Sequence, residues 1–319
     1  MAECTTELSV MASHAAAAAL PAWLRSSRPR FLILAPLCAG LAINAAWADG
    51  HAVARLDVML VLIGALLAHA AVNLFNEHHD FHTGLDDMTE RTPFSGGSGA
   101  LPERPEAAGT VRAAALACVA GVVGIGIWFV WRVGPVMLVY GMLGLALVIA
   151  YTGWLTRRPW LCLLAPGAGF GLLMVLGAYQ ALTGTLSATA MAASLPPTLM
   201  VSALLLINQL PDIEPDRRVG RDHLAIRLGA RGAARLAATL LAVAFGLVPL
   251  AWLAGALPNT AWLIGLALPA LVWLVRGLWR LPAEVAQGEL APLLPLMGLN
   301  VLILLASLAL LNVGLRLAA

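Results

Sequence analysis

The chain contains no lysine and is poor in charge of either sign. Only 11% of its 319 residues are charged, whereas 61% are apolar; an ordinary soluble domain carries about 25% charged residues. The 19 basic residues, all arginine, nearly balance 17 acidic ones. This composition excludes a soluble globular enzyme, a disordered chain and a nucleic-acid-binding protein. It predicts a polytopic protein whose main partner is the lipid bilayer.

Cysteine is also scarce. The four cysteines lie far apart and form no Cys-x2-Cys pair, so the sequence indicates neither a zinc site nor a disulfide framework. We expect thiols that pack as small hydrophobic side chains. A secretory signal is not expected either, because Glu3 and Glu7 stand where such a signal carries cationic residues. Residues 1–24 are expected to form a loose cytoplasmic tail.

Long apolar runs dominate the rest of the chain. A bilayer-spanning helix needs about 20 mostly apolar residues, and lipid forces each segment to satisfy its own backbone polar groups. The predicted fold is therefore an all-α polytopic membrane protein, with about nine transmembrane helices in a bundle around a central apolar cavity. It forms a single domain over residues 25–319. The predicted spans are 31–48, 57–76, 110–131, 134–154, 160–182, 193–210, 234–257, 260–279 and 290–315.

The distribution of arginine predicts the orientation. With nine spans, 16 arginines fall on the side of the N-terminus and of the loops after spans 2, 4, 6 and 8, against three on the other side. Basic residues are retained on the cytoplasmic side of a membrane. We therefore expect the N-terminus and these loops in the cytoplasm, and the chain in the inner membrane of a bacterial cell.

The carboxylates are concentrated in two of the cytoplasmic loops, 77–109 and 211–233. These loops hold eleven of the 17 acidic residues, although a loop retained by positive charge has no need of carboxylates. The concentration indicates a functional role. The acidic residues are Glu77, Asp80, Asp86, Asp87, Glu90, Glu103 and Glu106 in the first loop, and Asp212, Glu214, Asp216 and Asp222 in the second.

The two acidic clusters share a local pattern. Asn76 and Asp80, like Asn208 and Asp212, stand four residues apart at the end of an apolar run. Positions i and i+4 lie on one face of a helix. The two units are 132 residues apart, which suggests an internal pseudo-repeat of four helices. A further aspartate follows each unit, and these are Asp86 and Asp216.

A polar stripe continues the first unit into the membrane. His69, Asn73, Asn76 and Asp80 follow spacings of four, three and four residues. Polar groups at this depth normally face a cavity or the bundle interior. They can also serve as hydrogen bonds between helices, and for His69 and Asn73 the pattern leaves both interpretations open.

Carboxylates beside arginines indicate a site for a metal-bound diphosphate. Mg2+ typically binds one or two carboxylates together with the phosphates of a substrate, and arginine holds phosphate oxygens through two hydrogen bonds. The cavity behind the site is predicted to be apolar. A substrate with a diphosphate head and a hydrocarbon tail matches both halves. The neighbouring arginines are Arg91, Arg217, Arg218, Arg221 and Arg227.

At these residues the chain resembles the UbiA superfamily of intramembrane prenyltransferases. The resemblance extends from about Arg30 to the C-terminus, because the family also has nine helices and two Asp-rich motifs that follow helices 2 and 6. The second motif matches closely, as Asn-x3-Asp-x3-Asp-Arg from Asn208 to Arg217. The first motif, with Gly84 before Asp86, looks most like the dihydroxynaphthoate branch, which makes menaquinone.

Two positions depart from the usual family pattern. Glu77 follows the first asparagine, where the family often has aspartate. Arg221 stands where lysine is common, in keeping with the absence of lysine from the whole chain.

The resemblance implies an activity and its cofactor. It implies transfer of a prenyl group from a polyprenyl diphosphate to an aromatic acceptor of the quinone-precursor type, with release of diphosphate and a requirement for two Mg2+ ions. Dihydroxynaphthoate is the acceptor that it favours. Negative charge that develops on the leaving diphosphate would be stabilised by the metal ions and arginines.

The resemblance also implies roles for individual residues. Asp80 and Asp212 are the central catalytic carboxylates, and Asp80 or Asp86 could accept the proton of the acceptor. The ring of Tyr151 could stabilise an allylic cation, or it could be an interfacial tyrosine. The metal ligands are Asn76, Glu77, Asp80 and Asp86 for one ion and Asn208, Asp212 and Asp216 for the other. The diphosphate-binding residues are Arg91, Arg221, Arg227, Arg30 and Asn73.

The first acidic loop is long for a compact protein, and such loops are usually functional or disordered. Its glycines Gly96, Gly97 and Gly99 would let it fold over the diphosphate. Exclusion of water would then protect a reactive cation from hydrolysis.

Three alternatives remain open from the sequence. His78, His79 and His82 flank Asp80 and could ligate iron in a metal oxidase. Polar residues within the membrane also suit a transporter of a lipophilic anion, although spans 2 and 6 run in the same direction. A family member could instead prenylate haem or a chlorophyll.

Overall fold

The computed structural model describes residues 20–319, and all regular structure within this range is helical. Most of the predicted tail over residues 1–24, together with Cys4, lies outside the described residues. A short helix, Ala22–Ser26, precedes the bundle. The nine long helices are α1 (Leu34–Ala48), α2 (Arg55–His82), α3 (Ala108–Val133), α4 (Val136–Ala150), α5 (Pro159–Thr183), α6 (Ala188–Asn208), α7 (Leu224–Leu253), α8 (Asn259–Trp279) and α9 (Leu294–Leu317).

Each predicted span coincides with one of these helices. Within residues 20–319, seven helices are long and apolar enough to cross a membrane, while α1 and α4 are apolar helices of 15 residues each. Turns extend the apolar segment before α1 and after α4. The protein is therefore an all-α, integral multi-pass membrane protein, as the sequence predicted.

The helix ends differ from the prediction at both acidic loops. α2 continues to His82 and α7 begins at Leu224, so the loops are shorter than 77–109 and 211–233. The prediction ended each helix where charged residues begin. Charged side chains are compatible with a helix whose end projects beyond the hydrocarbon, and α7 is interrupted only at Gly229, where φ is 67° and ψ is 170°.

α6 lies at the centre of the bundle and α3 at its edge. Of the membrane-length stretch of α6, 67% is buried inside the protein, against 11% for α3. α6 packs against α1, α5, α7 and α9, and α1 also contacts α2. Cys38 and Cys162 are buried and Cys118 is half-buried, all as free thiols, which agrees with their expected packing role.

A close contact between α5 and α6 shapes the interior. Gly167 and Gly171 face Thr198, and a Cβ atom at either glycine would overlap backbone or side-chain atoms of Thr198. Small residues spaced four apart allow membrane helices to approach in this way. In the same stretch Pro166 interrupts the α-helix, and residues Ala168–Leu173 form a π-helical turn. α5 thus packs closely against α6 and has a wider helical turn at residues 168–173.

Substitution of Gly171 tests this contact. Gly171→Ala should destabilise the protein by about 1–3 kcal/mol, since the added methyl group has no room beside Thr198. The apparent unfolding temperature in detergent should fall. Gly124→Ala in α3 is the matched control, because no atom lies within 4 Å of its added Cβ. An equal unfolding temperature for both variants would contradict the close packing of α5 and α6.

Candidate active site

An apolar cavity of about 670 Å3 lies within the bundle, as predicted from the sequence. It is lined by residues of α1, α2, α3, α4, α5, α6 and α9, and the π-helical turn of α5 contributes Gly169 and Phe170. Most of its wall is aliphatic. His69 and Tyr140 line its deeper part, and the other polar side chains are concentrated where helices end, namely Arg28, Arg30, Asn73, Asn76, Tyr151 and Asn208. The cavity therefore has an apolar body and a polar mouth.

The last turns of α2 carry the first motif. Asp80 is buried and accepts a hydrogen bond from Asn76 Nδ2, one helical turn earlier. It also accepts a hydrogen bond from Arg221 Nη2. The four-residue spacing thus places the asparagine and the aspartate on one face, as expected, and brings an arginine from the second motif to the same carboxylate.

A glycine after α2 turns the chain back toward this carboxylate. Gly84 adopts φ of 71°, a conformation that favours glycine, and the short helix Leu85–Met88 follows it. Asp86 is consequently buried. Gly97 of the loop covers it so closely that a Cβ there would lie 2.8 Å from Asp86 Oδ1. The glycine-rich segment therefore does fold against the first motif.

Two polar residues of α2 hold neighbouring segments in place. Glu77 is fully buried and accepts hydrogen bonds from the backbone N–H of Ser98 at 3.0 Å, from the Ser98 hydroxyl, and from Arg28 Nη2 at 3.3 Å. Asn73 Nδ2 donates to the Ser27 carbonyl at 2.9 Å. These residues attach the glycine-rich loop and the segment before α1 to the first motif.

The second motif begins at the end of α6. Asn208 is the last residue of that helix, and Asp212 precedes the short helix Ile213–Arg218. Asp216 is buried, and both its carboxylate oxygens are engaged: Oδ1 accepts from Arg221 Nη1 and Oδ2 pairs with His223 Nε2, each at 2.8 Å. His223 is itself buried.

Arg221 joins the two motifs. One of its terminal nitrogens binds Asp80 and the other binds Asp216, and its side chain is 15% exposed. Arg28 adds a second positive charge that acts on Asp80, Asp86 and Asp212. Motifs separated by 132 residues therefore share one buried network of opposite charges.

Three oxygens in this network are buried without a hydrogen-bond partner among the described residues. They are Asp86 Oδ2, Asn208 Oδ1 and Asp212 Oδ1. Burial, followed by the charge of neighbouring carboxylates, raises the pKa of Asp86 and of Asp212 to about 7. Hard oxygen donors whose lone pairs accept no hydrogen bond suit Mg2+. A cation there would offset the cost of burying these carboxylates.

Protein side chains alone would not complete such a site. Between residues 20 and 319, no three carboxylate, imidazole or thiol side chains come close enough to hold a metal ion. Mg2+ commonly fills its remaining positions with water and substrate phosphates. The donor set therefore fits a cation that is shared with a phosphate-bearing substrate.

Two of the predicted arginines do not line the cavity, although Arg91 is close enough for its charge to act on Asp86. Arg227 pairs with Asp222 at 2.6 Å on an exposed surface, and Arg91 lies 3.6 Å from Glu103. Neither lines the cavity, whereas Arg30 does.

Tyr151 lies at the polar mouth of the cavity. It follows the last residue of α4, lines the cavity and neighbours both Cys162 and Arg221. Its position suits either of the two roles expected from the sequence, because the mouth is both next to the charged network and close to the end of a membrane helix.

Sequence reasoning missed Arg28, Ser98 and His223. In the sequence Arg28 contributes only to the predicted orientation. The structure places it at the cavity mouth with φ of 53°, a conformation uncommon for residues other than glycine. Ser98 and His223 carried no local pattern, since their partners are distant in sequence or belong to a loop. Only the tertiary contacts identify them.

Comparisons with known proteins agree with this geometry. A model of the UbiA prenyltransferase family matches residues 33–291. The chain is 30% identical over 275 residues to the 1,4-dihydroxy-2-naphthoate octaprenyltransferase of Escherichia coli, covering 83% of this chain and 87% of that protein. It is 29% identical over 229 residues to the enzyme of the same name from Bacillus subtilis, covering 70% and 72%.

A solved structure shares the fold. The UbiA homolog from Archaeoglobus fulgidus bound to GPP and Mg2+ superimposes with a TM-score of 0.59 and 15% sequence identity, covering 91% of this chain and 99% of that one. The family match spans α1 to α8 and includes both motifs, so it displaces the metal-oxidase and transporter alternatives. The chain belongs to the UbiA prenyltransferase family and is a membrane-embedded prenyltransferase.

Proposed function

We propose that this protein transfers a prenyl group from a polyprenyl diphosphate to an aromatic quinone precursor in a reaction that requires Mg2+. The observation that carries the proposal is the Arg221 bridge between Asp80 and Asp216, which adjoins Asn76 and Tyr151 at the polar mouth of an apolar cavity. The relatives named 1,4-dihydroxy-2-naphthoate octaprenyltransferase favour dihydroxynaphthoate as the acceptor and a long prenyl chain in the donor.

The two halves of the donor suit the two parts of the cavity. The aliphatic wall, about 670 Å3 in volume, would bury the prenyl chain, which gains free energy with the apolar area removed from water. The diphosphate would lie at the mouth, which Arg28 and Arg30 line and beside which Arg221 and Arg91 lie. Arg227 is less suited, because it is exposed, pairs with Asp222 and does not line the cavity.

Two sets of oxygens would hold the metal ions. Glu77, whose carboxylate also holds Ser98 and Arg28, would join the first set directly or through water. When bound, Mg2+ would neutralise charge on the diphosphate and so assist its departure. We assign Asn76, Asp80 and Asp86 to one ion and Asn208, Asp212 and Asp216 to the other.

The chain's own residues would stabilise the breaking bond. As the allylic C–O bond lengthens, negative charge grows on the diphosphate, and Arg221 can donate charge-assisted hydrogen bonds to its oxygens. His223 fixes Asp216, and Asp216 fixes Arg221, so the guanidinium is oriented before substrate arrives. Tyr151 would present its ring to the positive charge that develops on the prenyl carbon.

Proton transfer and water exclusion complete the reaction. Attack by an aromatic carbon leaves a proton to be removed, and Asp80 or Asp86 is close to the mouth where the acceptor would bind. The contact of Glu77 with Ser98 holds the glycine-rich loop over this region. A closed loop would keep water from the reactive cation.

We also propose that the site faces the cytoplasm of a bacterial cell, with the protein in the inner membrane. Of the 19 arginines, 16 lie on the side that carries both motifs, as expected for loops that are not translocated. A prenyl acceptor made in the cytoplasm would reach the mouth of the cavity directly.

Substitution of one unpartnered ligand tests the metal assignment. Asp212→Asn should lower the transfer rate by roughly 100- to 1000-fold, because it removes a negative charge where charge is stabilised during reaction. Asp222→Asn in the same loop is the control, since Asp222 is exposed and pairs only with Arg227. Transfer rates at saturating Mg2+ compare the two. Near-normal transfer by Asp212→Asn would remove this residue from the metal site.

Conservative replacement of arginine tests the diphosphate contact. Arg221→Lys keeps the charge but loses one of two hydrogen bonds, so KM for the prenyl diphosphate should rise about tenfold or more. Arg227→Lys should leave KM unchanged, because its exposed partner is Asp222. If both variants behaved alike, Arg221 would not contact the diphosphate.

A direct assay tests the function as a whole. Purified protein would receive farnesyl or geranylgeranyl diphosphate, Mg2+, and dihydroxynaphthoate, 4-hydroxybenzoate or homogentisate, with products identified by mass spectrometry. We expect a prenylated dihydroxynaphthoate whose formation stops when Mg2+ is chelated. A product with another acceptor would correct the acceptor alone, whereas folded protein that binds no prenyl diphosphate would overturn the proposed reaction.

A further inference from the structure

A second groove lies where α8 ends and α9 begins, separate from the apolar cavity. Its volume is about 510 Å3, and it shares no lining residue with the first cavity. Two of its lining side chains are charged, Arg276 and Arg280. The remaining lining residues are Trp273, Gly277, Pro282, Pro292, Pro295 and Leu296.

The groove is formed by one face of α8 against the start of α9. Trp273, Arg276 and Arg280 follow at spacings of three and four residues, so they lie on the same helical face. Gly277 permits the helices to touch, since a Cβ there would lie 2.5 Å from Leu296 Cδ2. The three prolines of the wall have no backbone N–H, which leaves the two guanidinium groups as the main donors.

These two guanidinium groups are available for a ligand. Among the described residues, neither forms an ion pair or a side-chain hydrogen bond, although Glu284 and Glu289 lie in the adjoining segment. The arginines of α7 nearby are engaged differently. Arg231 donates to the Leu281 carbonyl at 3.3 Å, and Arg235 lies 5.9 Å from the ring centre of Trp279.

The groove faces the side of the bundle that carries both motifs. The contact of Arg231, near the start of α7, with Leu281 places the end of α8 at this side. Trp273 and Trp279 are more than half exposed, as is usual for tryptophan at the boundary between hydrocarbon and headgroups. On the cytoplasmic side, anionic lipid headgroups attract clusters of arginine.

We propose that this groove binds the headgroup of an anionic phospholipid. Arg276 and Arg280 would hold the phosphate through bidentate hydrogen bonds. Trp273 and Leu296 would contact the first carbons of the acyl chains. A single arginine in the last turn would suffice to offset the helix dipole. Two guanidinium groups beside an apolar wall therefore suit a ligand that is both anionic and apolar.

Lipid titration of the intact protein in detergent tests the proposal. Native mass spectrometry would compare binding of phosphatidylglycerol and phosphatidylcholine with the same acyl chains. The wild-type protein should bind phosphatidylglycerol more tightly. The double variant Arg276→Gln/Arg280→Gln should weaken that binding roughly 30-fold, since each arginine near a charged surface contributes about one factor of five. The variant Arg276→Lys/Arg280→Lys should keep most of it.

The control removes the same charge elsewhere. Arg112→Gln/Arg158→Gln alters two exposed arginines on the same predicted side but outside the groove, and it should bind phosphatidylglycerol like the wild type. An equal loss in this control would indicate diffuse charge attraction and overturn the site. Equal binding of the two lipids by the wild type, or displacement of phosphatidylglycerol by millimolar inorganic phosphate, would also overturn it.

Discussion

The buried bridge from Arg221 to Asp80 and Asp216 is the constraint on which the polar half of the molecule depends. Carboxylates buried without a counter-charge are strongly destabilising, so the ends of α2 and α6 can meet only where a guanidinium lies between them. Arg221 stands just before α7, and its bridge therefore ties three helices together. The position of the proposed diphosphate site follows from the same ion pairs that allow these helix ends to meet.

The loop over the site is anchored by the same network. Glu77 binds Ser98 and Arg28, so that one carboxylate holds both the glycine-rich loop and the segment before α1. Asp86 is brought back by the turn at Gly84. Glu77, which is proposed to join a metal site, thus also positions the cover, and the unpartnered oxygens of Asp86, Asn208 and Asp212 are well placed to accept a cation.

The apolar half depends on packing rather than on charge. Contact at Gly171 and Thr198 holds α5 against α6, and both helices line the cavity, α5 partly through its π-helical turn. An apolar interior lowers the local dielectric and so strengthens the interactions of charges at its mouth. The two halves of the proposed site therefore support each other, since a cavity that would hold a hydrocarbon tail also strengthens the charge interactions that would bind its head.

The sequence by itself determined the number of apolar helices, the cavity and the pairing of Asn76 with Asp80, because bilayer thickness and helical period act over short stretches of chain. The tertiary structure alone decided which arginines reach the site. Arg28 lines the cavity and Arg227 does not, although Arg227 is the one that follows an acidic motif in the sequence. An ion pair forms only between groups that are close in space. Which guanidinium lies beside a buried carboxylate therefore depends on how the helices pack, and the order of residues in the sequence does not give it.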